Sequence, residues 1–303
     1  MIWKSLAFFY YHSALGRRLL SPIISVRNIL IPNVVLLKIR FIRILGYPLN
    51  LKHPRTFNEK IQWLKLNLRT PLHVVCSDKF LVREHVREKL GDTYLIPLLL
   101  ETTNPQNLKP ENLPDYPMII KTNHGSGNVI MIKDKKKSDW PSLQREMRKS
   151  LQDRYNSGKG EWHYAKIKPR ILVEKLLLDP GGNIPQDYKL YCFQGKVRFI
   201  EVHANRFTHH TVDFFDTAWQ RIDCTTLDRS SSPPLRPATL EDMLRIAEIL
   251  ANDFFFVRVD LYSLQSKVYF GELTFYPGSG FIKYHPRKWD IVFGEMLQLP
   301  LSN

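Results

Sequence analysis

The chain has 303 residues, enough to bury a full core and to divide into two or more lobes. Its 44 Lys and Arg against 29 Asp and Glu leave a net charge of +15, which points to nucleic acid, an anionic membrane surface or an acidic substrate. Three cysteines (Cys76, Cys192, Cys224) stand far apart with no CxxC pair, which excludes a disulfide framework or zinc knuckle and fits a reducing cytosol.

Residues 1–52 read as a basic, aromatic-rich arm of short helices broken at Pro22, Pro32 and Pro48. No stretch reaches the ~18 uninterrupted apolar residues of a membrane span, and no small-residue cleavage site follows a clean apolar core, so neither a span nor a signal peptide is expected. Lys38, Arg40 and Arg43 lie among Val34, Val35, Leu36, Leu37, Ile39, Phe41, Ile42 and Ile44. Such a segment either rests on an anionic membrane or packs as a helical arm.

Thr56-Phe57-Asn58-Glu59 is a capping box that opens a helix to about residue 68. Ser77 is placed to cap a second helix over 78–90, ended by Gly91. Residues 102–117, rich in Pro and Asn, form a hinge loop. A short buried strand over 118–121 runs into Thr122-Asn123-His124-Gly125-Ser126-Gly127, and a second strand follows over 128–132. Glycines let backbone N–H groups approach anionic oxygens, so this loop, with Lys121 at its mouth, suits a phosphate. The lysines of 133–137 read as a solvated hairpin tip, and no Walker motif occurs in the chain.

A further apolar strand is expected over 171–177, then a turn at Pro180-Gly181-Gly182. Next comes a hairpin over 187–193 and 196–202, with Asp187 and Lys189 on one face. Residues 205–237 read as irregular; His124 in the glycine loop and His209-His210 here are candidates to touch substrate, with surface or loop histidines the favoured reading of the pair. A helix capped at Thr239 runs to about residue 252, with Leu240, Met243, Leu244, Ala247 and Leu250 inward. The strands 255–262 and 268–275 alternate at period two, so Arg258, Asp260, Glu272 and Thr274 converge on one spot of a second hairpin. That is either an ordinary half-exposed sheet or a holder for Mg²⁺ and a phosphoryl group.

Taken in order, SDKFLVR, IIKTNHGSG, ILVEKLL, DYKLYCFQGKVRF, VRVDLY and GELTFYPGSG form a set that resembles the ATP-grasp superfamily. Thr56-Phe57-Asn58-Glu59-Lys60 with Trp63, Glu161-Trp162-His163-Tyr164 and Gly271-Glu272-Leu273-Thr274-Phe275 are similar to its TupA-like branch, associated with teichuronopeptide and other surface polysaccharides. The resemblance, over about 51–289, implies an α/β (α+β) ATP-grasp fold whose two lobes grip ATP between antiparallel sheets. The implied division is a basic helical arm (1–52), a helical region (53–117), a small lobe with the glycine loop (118–172) and a large lobe with the Mg²⁺ site (173–303).

The resemblance also implies roles for single residues. Lys121 contacts the α- and β-phosphates beside the loop residues Gly125, Ser126 and Gly127. Arg83 stands where relatives have a second phosphate lysine, in a pattern that begins at Asp78-Lys79. Glu174, Lys175 and Leu176 match the hinge that receives adenine, partly through backbone groups, and Asp187 matches the carboxylate on the ribose hydroxyls. Lys189 and Arg206 resemble basic positions of the glutamate-ligating relatives. Asp260 and Glu272 match the Mg²⁺ carboxylates, Thr274 stands where most relatives have Asn, and Arg258 matches the arginine that stabilises the tetrahedral oxyanion.

The implied activity is an ATP-dependent carboxylate–amine ligase that forms an amide through an acyl phosphate. It would join an amino acid to a uronic acid of a surface polysaccharide or its precursor. Two other readings stay open: an ATP-dependent glycan phosphotransferase, and a non-catalytic membrane-associated binding module of a polysaccharide assembly complex. No nucleic-acid motif is present, so nucleic acid is not an expected partner. The expected place is the cytoplasm, with residues 1–52 at the inner membrane face.

Overall fold

In the computed structural model, residues 33–125, 129–153, 160–205 and 209–300 are described. The chain divides into two compact units, Met1–Asn50 and Leu51–Asn303. In the first, helix α1 (Asn33–Leu45) begins one residue after Pro32 in the sequence and stops at Gly46, which adopts φ +80°. Phe41 is buried, edge-on to Tyr47 at 5.1 Å. Val35, Ile39 and Ile42 follow one another at helical spacing and are exposed, as are Lys38 and Arg43. Among the described residues no helix is long and apolar enough to cross a membrane.

The second unit opens with helices α2 (Phe57–Asn67), α3 (Pro71–Ser77) and α4 (Val82–Leu90). Strands β1 (Leu98–Thr102), β2 (Met118–Thr122), β3 (Val129–Ile132) and β4 (Ile171–Lys175) form an antiparallel sheet in the order β1-β4-β2-β3. Helix α5 (Trp140–Gln152) packs on this sheet through Trp140 and Met147, closing a core with Met118, Ile120, Ile171 and Val173.

The larger antiparallel sheet has the order β10-β9-β5-β6-β7-β8, from β5 (Asp187–Phe193), β6 (Lys196–Ala204), β7 (Thr211–Phe215), β8 (Arg221–Ile222), β9 (Phe256–Leu264) and β10 (Lys267–Thr274). Its two faces differ. Leu190, Cys192, Ile200, Val257 and Val259 face helix α6 (Leu240–Ala251), whose Leu240, Met243, Ile246, Ala247 and Leu250 are fully buried. The opposite face is aromatic at one end, where Phe57 of α2 sits 5.1 Å from Phe256 and Phe293 of α7 (Lys288–Met296) stacks on Phe199 at 3.9 Å. The other end of that face carries charged side chains.

The Thr56–Lys60 motif docks α2 on the C-terminal segment. Thr56 and Glu59 form the capping box, and Asn58 exchanges hydrogen bonds with the Ile282 backbone at 2.8 Å each way. Lys60 donates to the Gly294 and Leu297 carbonyls that end α7, at 2.7 and 2.6 Å. Gly294 is required there, since a Cβ would fall 2.1 Å from the Arg55 carbonyl oxygen. The second motif, Trp162-His163, packs on Tyr276: the indole donates to its hydroxyl at 3.1 Å and the imidazole lies 5.2 Å from its ring.

Several local expectations are corrected. The helix expected over 78–90 begins at Val82, because Ser77 closes α3 and the Asp78 carboxylate instead accepts from the Phe80 backbone N–H at 2.8 Å. Thr239 makes no cap bond; its hydroxyl pairs with Ser263 at 2.7 Å. Ile246, not Leu244, completes the buried stripe of α6. The stretch read as irregular contains β7 and β8. Lys135 is not a solvated tip: it donates to the Pro110 carbonyl and pairs with Asp115 at 3.1 Å.

Candidate active site

Strand β2 alternates buried and half-buried residues, and its register with β4 puts Ile119 opposite Glu174. Lys121, two residues on, therefore shares that face with Glu174. Its ammonium lies 2.6 Å from one Glu174 oxygen, and the Arg83 guanidinium lies 3.4 Å from the other. Arg83 also donates to the Ile96 carbonyl at 2.9 Å. The two cations matched to phosphate are thus held by one carboxylate whose side chain is 5% exposed. Glu174 acts here through its side chain. The backbone N–H groups of Lys175 and Leu176 donate to the Pro97 and Pro117 carbonyls, both at 3.0 Å.

Lys79 is a third cation of this region, one to which the sequence reading gave no role. Its ammonium donates to the Gly125 carbonyl at 2.6 Å and lies 3.6 Å from Glu272. It is positioned by its neighbour: Asp78 accepts from the Asn123 amide at 2.8 Å, and the Lys79 backbone N–H donates to the Asn123 carbonyl at 3.2 Å. Asn123 in turn accepts from the Arg170 N–H at 2.7 Å, so the start of the glycine loop is tied to the base of β4. The Asp78-Lys79 dipeptide was the signal in the sequence, but only folding brings it beside the loop. Ser126, Gly127 and Arg206 lie outside the described residues.

Across from these cations, register gathers the second group. Asp260 pairs with Lys189 on β5 and with Glu272 on β10, while Arg258 pairs with Tyr191 and Thr274. A bulge between Phe270 and Glu272 sets the latter opposite Asp260. A Cβ on the intervening Gly271 would fall 2.9 Å from the Asp260 carbonyl oxygen. The Arg258 fork meets Asp260 with two bonds of 2.7 Å and donates to the Thr274 hydroxyl at 3.0 Å. The Thr274 hydroxyl in turn donates to Glu272 at 2.9 Å. Lys189 bridges Asp260 and Asp187, at 2.7 and 2.8 Å.

The electrostatics follow from burial and this pairing. Burial raises the Glu272 carboxyl, but Lys79, Arg258 and Lys189 outweigh it and hold it at about 2. Burial and Arg258 push the Lys189 ammonium down, and Asp260 and Asp187 more than restore it, so it titrates above its ordinary value. Burial also pushes the Asp260 carboxyl up against the pull of Arg258 and Lys189. With both oxygens taking charge-assisted bonds of 2.7 Å, Asp260 is ionised at neutral pH.

The oxygens of Asp260, Glu272 and Thr274 are hard donors of the kind Mg²⁺ takes. Glu272 is ionised and its side chain is 37% exposed, so it offers an accessible carboxylate; Asp260 shares its oxygens with Arg258 and Lys189. Among the described residues no three His, Cys, Asp or Glu side chains form a ready cation cage. The donor set therefore fits a cation held jointly with phosphate oxygens better than one held by protein alone.

The same face continues onto β6 with a group that sequence reasoning did not assemble. Glu201 lies opposite Lys189, and His203 opposite Asp187. The Tyr191 hydroxyl donates to Glu201 at 2.6 Å, the His203 ring meets its other oxygen at 3.0 Å, and His210 meets the far side of His203 at 2.9 Å. His210, as read, lies on a loop, one residue before β7, and reaches the sheet face through its ring contact with His203.

The family profile described as TupA-like ATPgrasp matches residues 59–298. No curated protein matches the chain. Among solved structures, D-alanine–D-alanine ligase from Helicobacter pylori is similar with a TM-score of 0.44 and 14% identity, over 82% of this chain and 68% of that one. The D-alanine–D-alanine ligase from Bacillus anthracis complexed with ATP gives 0.39 and 15%, over 66% and 53%. L-amino acid ligase from Bacillus licheniformis gives 0.44 and 15%, over 74% and 47%. The chain thus spans only about half the length of the last two, and scores this low add nothing to the profile match. That match covers both sheets, the glycine loop and the acidic hairpin, and by it the chain belongs to the TupA-like ATP-grasp family.

Proposed function

We propose that this protein is an ATP-dependent carboxylate–amine ligase that works through an acyl phosphate. The observation that carries the reading is the reach of Lys79, which touches the glycine loop at Gly125 and faces Glu272, joining the loop cations to the acidic hairpin. Lys121, Arg83 and Lys79 bind and orient the ATP phosphates. A carboxylate oxygen of the substrate attacks the γ-phosphorus, the bond to the β-phosphate oxygen breaks, and ADP leaves. The amine then attacks the acyl carbon and phosphate departs. Arg258 stands ready for the oxyanion that develops between those two events, since a preformed cation needs no reorganisation as charge appears. Mg²⁺, held by Asp260 and Glu272 with Thr274, would supply neutralisation of phosphate charge. Such chemistry needs positioning and charge compensation more than a protein nucleophile.

The finer reading is an amino acid joined to a uronic acid of a surface polysaccharide or its precursor. The net charge of +15 supports an acidic acceptor, because a nucleotide site alone does not call for such an excess. Work at an anionic membrane face is supported by α1, which presents Val35, Ile39 and Ile42 beside Lys38 and Arg43. Product analysis tests the activity: ATP, Mg²⁺ and uronic acids with hydroxylamine should yield ADP, phosphate and a hydroxamate. Phosphate transferred to a sugar hydroxyl would replace this reading by a phosphotransferase, and AMP with pyrophosphate would refute both.

A further inference from the structure

The cations set around the proposed nucleotide site are matched by acids of this chain: Lys121 and Arg83 by Glu174, Lys79 by Glu272, and Arg170 by Glu101. Arg69, Lys166 and Lys168 differ. All three are exposed, and among the described residues none of them stands in an ion pair. Two are gathered on one ring: the Arg69 guanidinium lies 5.6 Å and the Lys166 ammonium 5.3 Å from the centre of the Trp162 indole. The aromatic face attracts each cation, and so holds together side chains that mutual repulsion would spread apart. Within the protein Arg69 donates through Nε alone, to the Lys65 carbonyl at 3.4 Å, which leaves the two terminal nitrogens of its fork for an outside acceptor. The stretch 160–170 holds one acid, Glu161, and it is half-buried.

This cationic group is bonded to both elements that frame the proposed phosphoryl-transfer site. The Trp162 indole N–H donates to the Tyr276 hydroxyl at 3.1 Å, and Tyr276 follows Thr274 by two residues at the end of the acidic hairpin. The Lys168 carbonyl accepts from the Asn123 amide at 3.0 Å, and Asn123 opens the glycine loop beside Lys79. An anion seated on Arg69, Lys166 and Lys168 therefore borders the end of the hairpin that carries Arg258 and Glu272. The indole is itself fixed from within, by His163 edge-on at 5.9 Å, so the two cations on it rest on a packed support.

We propose that Arg69, Lys166 and Lys168, organised by Trp162, bind the acidic sugars that flank the reacting one in a uronic acid chain; the inference rests on the ligase reading and deepens it. The reacting carboxylate goes to the phosphoryl site. Those of neighbouring sugars meet the guanidinium fork and the two ammonium groups. The acceptor is therefore an oligomer or polymer in place of a single sugar. Cations from two separate segments, set around one aromatic ring, suit carboxylates repeated along a chain of stiff pyranose rings, and the half-buried indole adds an apolar surface for their C–H groups. An acidic peptide offers the same charge without ring faces, and enters the test as a competitor.

The test compares glucuronic acid with its oligomer on the full chain, at one fixed ionic strength. Calorimetry without nucleotide reads oligomer binding, and hydroxamate formation with Mg·ATP and hydroxylamine gives kcat/KM for each acceptor. Wild type should prefer the oligomer. In the variant that combines Arg69→Gln, Lys166→Gln and Lys168→Gln, that preference should fall about tenfold, the modest worth of exposed ion pairs taken over three contacts. Trp162→Leu keeps every charge but removes the support, and should weaken oligomer binding several-fold. Calorimetric ATP binding confirms that each variant is folded, and the exposed triple variant decides the matter if Trp162→Leu is not. An oligomer preference unchanged in the triple variant, a folded Trp162→Leu that binds oligomer as wild type does, or displacement of the oligomer by polyglutamate or anionic vesicles as readily as by uronate would overturn the assignment. Wild-type protein that binds the oligomer through these residues yet forms neither ADP nor hydroxamate would refute the ligase reading and keep the surface as a glycan-binding face.

Discussion

Replacing Glu174 with Gln removes one negative charge from between two cations. The Lys121 and Arg83 side chains are 14% and 13% exposed, and they stand 2.6 and 3.4 Å from the carboxylate. Breaking a buried pair by removing one partner costs roughly 3–5 kcal/mol. Arg83 keeps its bond to the Ile96 carbonyl at 2.9 Å, and both cations retain some water, so the lower end, about 3 kcal/mol, is expected. If these cations serve ATP, the phosphates supply the missing charge. Saturating Mg·ATP adds about 2.7 kcal/mol to any state that binds it at one hundred times its dissociation constant. At one common, saturating Mg·ATP concentration a tighter-binding E174Q gains more than wild type, so the stability gap should narrow by RT ln of the ratio of the two dissociation constants. Urea denaturation with and without nucleotide, together with calorimetric ATP binding, measures this. E174Q should bind ATP at least as tightly as wild type, since a competing carboxylate is gone. Weaker binding, with a stability gap that nucleotide widens, would show that Lys121 and Arg83 do not face phosphate.

Arg258→Lys keeps the charge but loses the fork that meets Asp260 twice at 2.7 Å; turnover should fall about 10²–10³-fold while ATP binding by calorimetry changes little. His73 is buried, and burial lowers its imidazole to about 4 from the ordinary 6.5. Its neutral form belongs to the folded state, so the unfolded chain binds more protons between those values and stability falls as pH drops through that window, by about 3 kcal/mol in all. His73→Gln should flatten the urea-midpoint profile there, and a slope equal to wild type would refute the assignment. Deleting residues 1–50 should weaken co-sedimentation with anionic liposomes while ATP binding persists; lost ATP binding in a folded truncation would contradict the division into two units.

Local pattern made much of the fold and site legible. The capping box at Thr56, the alternation of β5, β9 and β10, and the stop at Gly91 are short-range effects, and each stands where the residues placed it. Period-two geometry alone puts Arg258 with Asp260, and Glu272 with Thr274, on a common face. The short strands β7 and β8 escaped because their pairing is decided by neighbours in the sheet, not by their own pattern.

What the sequence determined by itself was the set of side chains each strand offers to each face, since that follows from backbone periodicity. Which of those side chains meet was decided only by tertiary structure. Lys79 reaches Glu272 across 193 positions of chain, Glu174 gathers Lys121 and Arg83 from two separate elements, and Glu201 finds Tyr191 and the two histidines only once β5, β6 and the start of β7 are aligned. A charge read along the chain has many partners of opposite sign. Strand order, register and the bulge at Gly271 select the few that come within hydrogen-bonding distance, and burial then makes that selection strong.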